Sequence, residues 1–426
     1  MNKSLIGDMA RVYALPGLKR AAGLAVRLVP VPQPTLLVGA GSSMRLGQAI
    51  AAFAHEKILL VGDAVVLKLG LANGLMDALK ASRTAFVVFD EITPDAPIAL
   101  VERGIARYQR EGCDAIVAFG GGSVMDAAKA IGQSVANERH PRDLVGYFRG
   151  WKGPPPIYAV PTTAGTGSEV TVAAVISDPE NNRKLVIADS RLVPRMAALD
   201  PSLMTGLPQP ITAATGMDAL THAVEAYIGN WGTEFTDGMA LAAVSMIYEN
   251  LPLAYADGNN IAAREQMALA SAYAGMAFTR ANVGNVHAIA HQLGGLYHTP
   301  HGLANAILLP VVLRFSSDAI EPKLAQLAQR AGLARKGDSE ARLAQRFLDS
   351  VEAMNRSLGI PKTLDALRER DIPGLATAAC WEADTNYPVP RAMSQSECEA
   401  LLRELLPVAA TKPKPKQTRR AKSAPV

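Results

Sequence analysis

Short apolar runs alternate with helical periods through the first half of the chain. Residues 35–38 (TLLV) lead into Gly39-Ala40-Gly41, and 57–61 (KILLV) end at Gly62-Asp63. Residues 85–89 (AFVVF) end at Asp90 and precede a helical stretch around 97–111. Residues 114–119 (DAIVAF) run into Gly120-Gly121-Gly122-Ser123, and 157–160 (IYAV) into Pro161-Thr162-Thr163. Runs this short, separated by helices and without polar alternation, predict a parallel sheet covered on both faces. Past Pro208 the strand-like runs stop. Alanine-rich helical periods follow over 212–228, 237–248, 261–278, 286–296, 303–314 and 340–358. The segment 199–210, with three prolines and a glycine, marks the change. The pattern predicts a Rossmann-like α/β N-terminal domain over 28–205 and an all-α C-terminal domain over 206–410. An N-terminal extension (1–27) and a basic tail (411–426) flank them.

Composition narrows this reading. The chain has 426 residues, 49% hydrophobic and 19% charged, enough for a sizeable core and too apolar for a disordered protein. Cys113, Cys380 and Cys398 are too few and too widely spaced for a disulfide framework or a CxxC zinc site, and they fit a reducing, cytoplasmic setting. No apolar run has the length of a membrane span; the longest, over 304–313, is too short. With Lys3 and Asp8 and no compact apolar stretch, the N-terminus does not read as a signal peptide. The net charge is +4, but the tail alone carries Lys412, Lys414, Lys416, Arg419, Arg420 and Lys422. The globular body is therefore slightly acidic and offers no basic field for nucleic acid.

Three turns carry a dinucleotide signal. In DAIVAFGGGSVMDAAKAI a strand, a triple glycine and a helix start place backbone N–H groups and the helix dipole around one point, as a pyrophosphate needs. Ser123 is the expected N-cap and Asp126 its N3 partner, a capping box with Asp in place of Glu. The sequence matches neither GxGxxG nor a Walker motif. Asp63, at the end of a strand, can accept from ribose hydroxyls and would repel a 2′-phosphate, favouring NAD over NADP. Thr162, Thr163 and Thr166 lie in PTTAGTGSE, after another strand of the same sheet. The Gly39–Gly41 turn lacks an acidic partner at the expected distance and reads as structural.

Four of the seven histidines crowd into VHAIAHQLGGLYHTPHG: His287, His291, His298 and His301. His222 follows Asp218 by four residues in GMDALTHAVEAY, which puts both on one helix face. His287 and His291 repeat the spacing, and His301 follows a Pro300 turn that can fold back. The pattern predicts two helices gripping one divalent ion. Imidazoles on apolar helices are costly to bury without a partner, and an Asp-plus-His set suits Fe²⁺ or Zn²⁺. Asp218, His222, His287, His291 and His301 compete for four places, and spacing leaves the choice open. Phe148, Trp151, Phe278 and Tyr297 are candidate walls of a substrate pocket.

GGGSVMDAAKAI, PTTAGTGSEVT, GMDALTHAVEAY and VHAIAHQLGGLYHTPHG, in this order, resemble the iron-dependent (group III) alcohol dehydrogenase family over roughly residues 35–406. The resemblance implies the fold shared with dehydroquinate synthase and reversible oxidation of a small primary alcohol or diol by NAD, with the substrate oxygen on Fe²⁺ or Zn²⁺. It implies Asp218, His222, His287 and His301 as metal ligands, with His291 a non-ligand beside the substrate, where it could pass the alcohol proton to solvent. It further implies Asp63, Gly120, Gly121, Gly122, Ser123, Asp126, Thr162, Thr163, Thr166 and Lys184 at the dinucleotide, and a homo-oligomer, at least a dimer. Neighbouring readings are a hydroxyacid–oxoacid transhydrogenase and a maleylacetate-type reductase, the latter disfavoured by the complete ligand set. A dehydroquinate synthase-like lyase would need several cations for a phosphorylated acid, and near His222 and His287 only Arg264 and Arg280 come into question.

Overall fold

Strands β2 (Ile58–Gly62), β4 (Ala115–Gly120) and β6 (Ile157–Pro161) are buried at every position, which explains why their runs show no polar alternation. They form the centre of a six-stranded sheet in a computed structural model that describes residues 29–407 apart from Asn182. The proposed extension 1–27 and tail 411–426 lie outside the described residues. With β1 (Thr35–Val38), β3 (Phe86–Phe89) and β9 (Met196–Leu199), the strand order is β1-β9-β6-β4-β2-β3, and every pair is parallel. Helices α1 (Ser42–Ala51), α2 (Ala64–Lys68), α3 (Asn73–Ala81), α4 (Ile98–Glu111) and α5 (Gly122–Asn137) connect them.

Register decides where the turns emerge. Gly62 pairs with Phe119 and Gly120 with Pro161, so the Asp63, Gly120–Ser123 and Thr162–Thr166 turns leave the sheet at the same carboxyl edge. A second sheet, β5 (Gly146–Tyr147), β8 (Arg183–Ala188) and β7 (Ala173–Asp178), has the order β5-β8-β7, and the sequence pattern did not anticipate it. Its strands are only partly buried.

The helical half contains α6 (Gln209–Ile228), α7 (Glu234–Ala256), α8 (Ile261–Ala281), α9 (Asn285–Tyr297), α10 (His301–Arg330) and α11 (Glu340–Ser357). α12 (Ile372–Asn386) and α13 (Gln395–Glu404) complete it and were not foreseen. α10 is far longer than its apolar run, passing through Pro310 and Pro322. By length and composition it could cross a membrane (hydropathy 1.4), but 67% of that window is buried inside the protein. It packs against α6 and α11 as a core helix. α6 is buried from Gly216 through Ile228, because small residues let α7, α8 and α10 close around it.

Candidate functional site

A cleft of about 2560 Å³ runs between the two halves. Both kinds of predicted residue line it: Asp63, Gly121, Gly122, Ser123, Asp126, Thr162, Thr163, Thr166 and Lys184 from the α/β side, and Asp218, His222, His287, His291 and His301 from the helical side. Phe148 and Phe278 also line it, whereas Trp151 is exposed to solvent outside it and Tyr297 donates to Asp371 at 2.7 Å.

At the glycine turn, the neighbours leave no room for side chains at Gly120 and Gly122. A Cβ on Gly122 would lie 2.6 Å from Thr166 Cγ2, and one on Gly120 would lie 2.7 Å from Val124 Cγ2. Gly121, Gly122 and Ser123 line the cleft, so the first turn of α5 faces it largely through backbone. The capping box expected here is absent. Gly121 is the N-cap and no side chain caps it; the Ser123 hydroxyl instead accepts from Asp95 N at 3.1 Å. Asp126 accepts from Ser168 Oγ (2.6 Å) and Val175 N (3.1 Å), bracing the next loop. Asp63 caps α2 by accepting from Val66 N at 2.9 Å through Oδ1. Lys184, on β8, pairs with Asp95 at 2.5 Å.

The four Asp/His side chains meet. One donor atom from each of Asp218, His222, His287 and His301 lies within 4.8 Å of all the others, the first three buried. Three helices supply them, not the expected two: Asp218 and His222 share a face of α6, His287 lies in the first turn of α9, and His301 opens α10. The Nδ2 of Asn305 lies 2.7 Å from Asp218 Oδ1, 3.1 Å from His287 Nε2 and 3.2 Å from His301 Nε2, so these acceptors point at one spot. His222 stacks between Phe278 (4.3 Å between centroids) and His287 (4.6 Å), and its buried Nδ1 has no hydrogen-bond partner.

Electrostatics match a cation. Burial, then the charges of the neighbouring imidazoles, hold His287 well below the ordinary histidine range. Burial likewise lowers His222, and lowers His301 to about 4, against the pull of Asp218. Neutral imidazoles with acceptor nitrogens turned toward one carboxylate are what Fe²⁺ or Zn²⁺ requires, and the unpaired buried Nδ1 of His222 is otherwise costly. The donor set fits such an ion.

Several contributors escaped the sequence reading. Glu225 accepts from His287 Nδ1 at 2.6 Å and from the N–H groups of Gly284 (3.0 Å) and Val286 (2.7 Å). It thus caps α9 from α6 and turns Nε2 of His287 toward the other ligands. Glu225 lies three residues after His222, and Asn305 four after His301, so helix periodicity held a signal for both. Glu382 carries none: it reaches His291 Nδ1 (2.6 Å) from α12, far along the chain. Burial opposes the charged imidazole, but the Glu382 carboxylate prevails and holds His291 above its ordinary range.

Comparison with known proteins agrees with this geometry. Residues 33–201 match the family model described as iron-containing alcohol dehydrogenase, and 212–406 match the C-terminal model of the Fe-containing alcohol dehydrogenase family. The chain is 40% identical over 363 residues to a 1,3-propanediol dehydrogenase of Klebsiella pneumoniae, covering 84% of this chain and 94% of that one. It is 36% identical over 375 residues to an NAD-dependent methanol dehydrogenase of Bacillus methanolicus, covering 88% and 98%. A solved 1,3-propanediol oxidoreductase superposes with a TM-score of 0.85 at 38% identity, covering 89% of this chain and all of that one.

Proposed function

The chain belongs to the iron-containing alcohol dehydrogenase family, and from that premise we propose that it interconverts a small primary alcohol or diol and its aldehyde with NAD⁺/NADH. The observation that carries this is the convergence of Asp218, His222, His287 and His301 across one cleft from the N-terminus of α5, which no side chain caps.

When bound, the divalent ion supplies Lewis acidity to the substrate oxygen and the nicotinamide accepts or returns the hydride. The chain's own groups do the rest. Asp218, His222, His287 and His301 hold the ion, and Glu225 orients His287. The turn Gly120–Ser123 presents backbone N–H groups to the pyrophosphate, with Thr162, Thr163, Thr166 and Lys184 around it. Asp126 supports that turn's neighbour through Ser168 and Val175. Asp63 keeps Oδ2 for the ribose hydroxyls. His291 takes the hydroxyl proton during oxidation and passes it toward solvent, and gives one back during reduction. The largely apolar cleft wall excludes water around the transferring hydride.

Among the described residues Cys113, Cys380 and Cys398 are buried and form no disulfide, in keeping with a reducing, cytoplasmic setting. Self-association into at least a dimer belongs to the same reading and is tested by light scattering on the eluted protein. The activity is tested with primary alcohols, diols and hydroxyacids and NAD⁺ on Fe²⁺- and Zn²⁺-loaded protein. Net NADH from primary alcohols supports the reading; NADH from none of them sinks it. Asp218→Ala and His287→Ala are expected to lose bound metal and turnover together while keeping the wild-type circular dichroism spectrum.

A further inference from the structure

Glu382 lies on the cleft wall, and three donors converge on its carboxylate. His291 Nδ1 is 2.6 Å from Oε1, Tyr387 OH donates to the same oxygen at 2.6 Å, and Gln292 Nε2 donates to Oε2 at 2.7 Å. The His291 and Glu382 side chains are 13% and 17% exposed, so these bonds compete only weakly with water. A tie between α9 and α12 needs no charge. An apolar contact would serve at lower desolvation cost, and the two helices already pack closely. The carboxylate therefore calls for a reason beyond packing.

Orientation supplies one. An imidazole that donates Nδ1–H to a carboxylate is left with Nε2 as its acceptor, and rotation of the ring would break that bond. His291 also stacks on His301, with centroids 5.6 Å apart and planes 19° apart, which limits tilt. We propose that Glu382 is the positioning residue for His291: held by Tyr387 and Gln292, it fixes the ring and its tautomer so that Nε2 is the nitrogen presented to the substrate. This rests on the reading of His291 as proton acceptor given above.

Glu382→Gln tests it with little change of shape. The amide nitrogen would face a donor, either the His291 and Tyr387 pair or Gln292 Nε2, whose amide could flip only by giving up its bond to Ala288 O. A neutral amide oxygen also holds the imidazole less firmly than a carboxylate. The measurements are kcat, KM for alcohol and for NAD⁺, bound metal and melting temperature. They are made on the metal-loaded wild type, Glu382→Gln, His291→Ala and the double variant. Glu382→Gln is expected to lower kcat about 10- to 100-fold, with KM for NAD⁺ and metal content unchanged. In the His291→Ala background it should have no further effect on kcat, since a positioning residue acts only through what it positions. An unchanged kcat in Glu382→Gln, or the same loss in both backgrounds, overturns the proposal. Wild-type turnover in His291→Ala removes the underlying reading instead. Should Glu382→Gln not fold, Tyr387→Phe takes its place: loss of one donor to Oε1 should lower kcat with His291 present and not without it, and any other pattern counts against the proposal.

Discussion

Glu225 shows how much a single side chain can organise. Its carboxylate satisfies two N–H groups at the start of α9 and holds the His287 ring, and burial pushes its pKa up to about 7. Glu225→Gln keeps the shape but places a donor where a donor already points. The expected result is a metal affinity lower by about 10- to 100-fold, read by metal titration, with the helical content retained. Asp63, proposed to face the ribose, acts in a different way. A carboxylate about 4 Å from a 2′-phosphate costs about 1 kcal/mol even at the dielectric of water. Asp63→Ala should therefore raise kcat/KM for NADP⁺ relative to NAD⁺ by at least about fivefold, measured by initial rates with both cofactors. The i, i+4 pair Asp218–His222 was legible in the sequence because one helix turn sets it. The partner of His291 was not, because nothing local links α9 to α12.

At the scale of elements, the metal cluster depends on how closely helices approach. A Cβ on Gly302 would lie 2.4 Å from the backbone oxygen of Ala214 and 3.3 Å from Asp218 Cβ, so α10 begins in contact with α6. The backbone of a buried helix cannot move aside. Gly302→Ala should push the start of α10 outward, carrying His301 from Asp218, at an overpacking cost of about 1–3 kcal/mol. Weaker metal binding with all four ligands intact is the expected result, read by metal titration beside thermal unfolding. The strands β2, β4 and β6 were legible as continuous apolar runs. The hairpin β7–β8 was not: burial alternates along β7, but its sequence AAVISD shows no matching apolar–polar alternation, since Asp178 is among the buried residues. The extent of α10 was also hidden: the helical period over 303–314 already contains Pro310, but Pro322 beyond it disfavours the continuation that the surrounding packing carries through.

For the whole molecule, the division of labour predicts separable binding. The turns proposed to face the dinucleotide belong to the parallel sheet and the side chains proposed to hold the metal to the helices, so a chelator should abolish turnover while NADH binding, followed by its fluorescence, persists. Restoring Fe²⁺ or Zn²⁺ should raise the melting temperature, because a ligand at 100-fold over its Kd adds about 2.7 kcal/mol to the folded state. Loss of NADH binding on chelation would show that the two lobes are not independent in this sense.

Periodicity and turn chemistry are local, and through them the sequence alone determined the α/β-then-α order, the glycine turn at a strand end and the one-turn spacing of Asp218 and His222. Only the tertiary structure decided that three helices, not two, meet at the cluster, that Ser123 serves Asp95 instead of capping α5, and that Glu382 stands behind His291. Those are contacts between segments far apart in the chain. They follow from how buried helices pack against one another, and no pattern within a single segment records that.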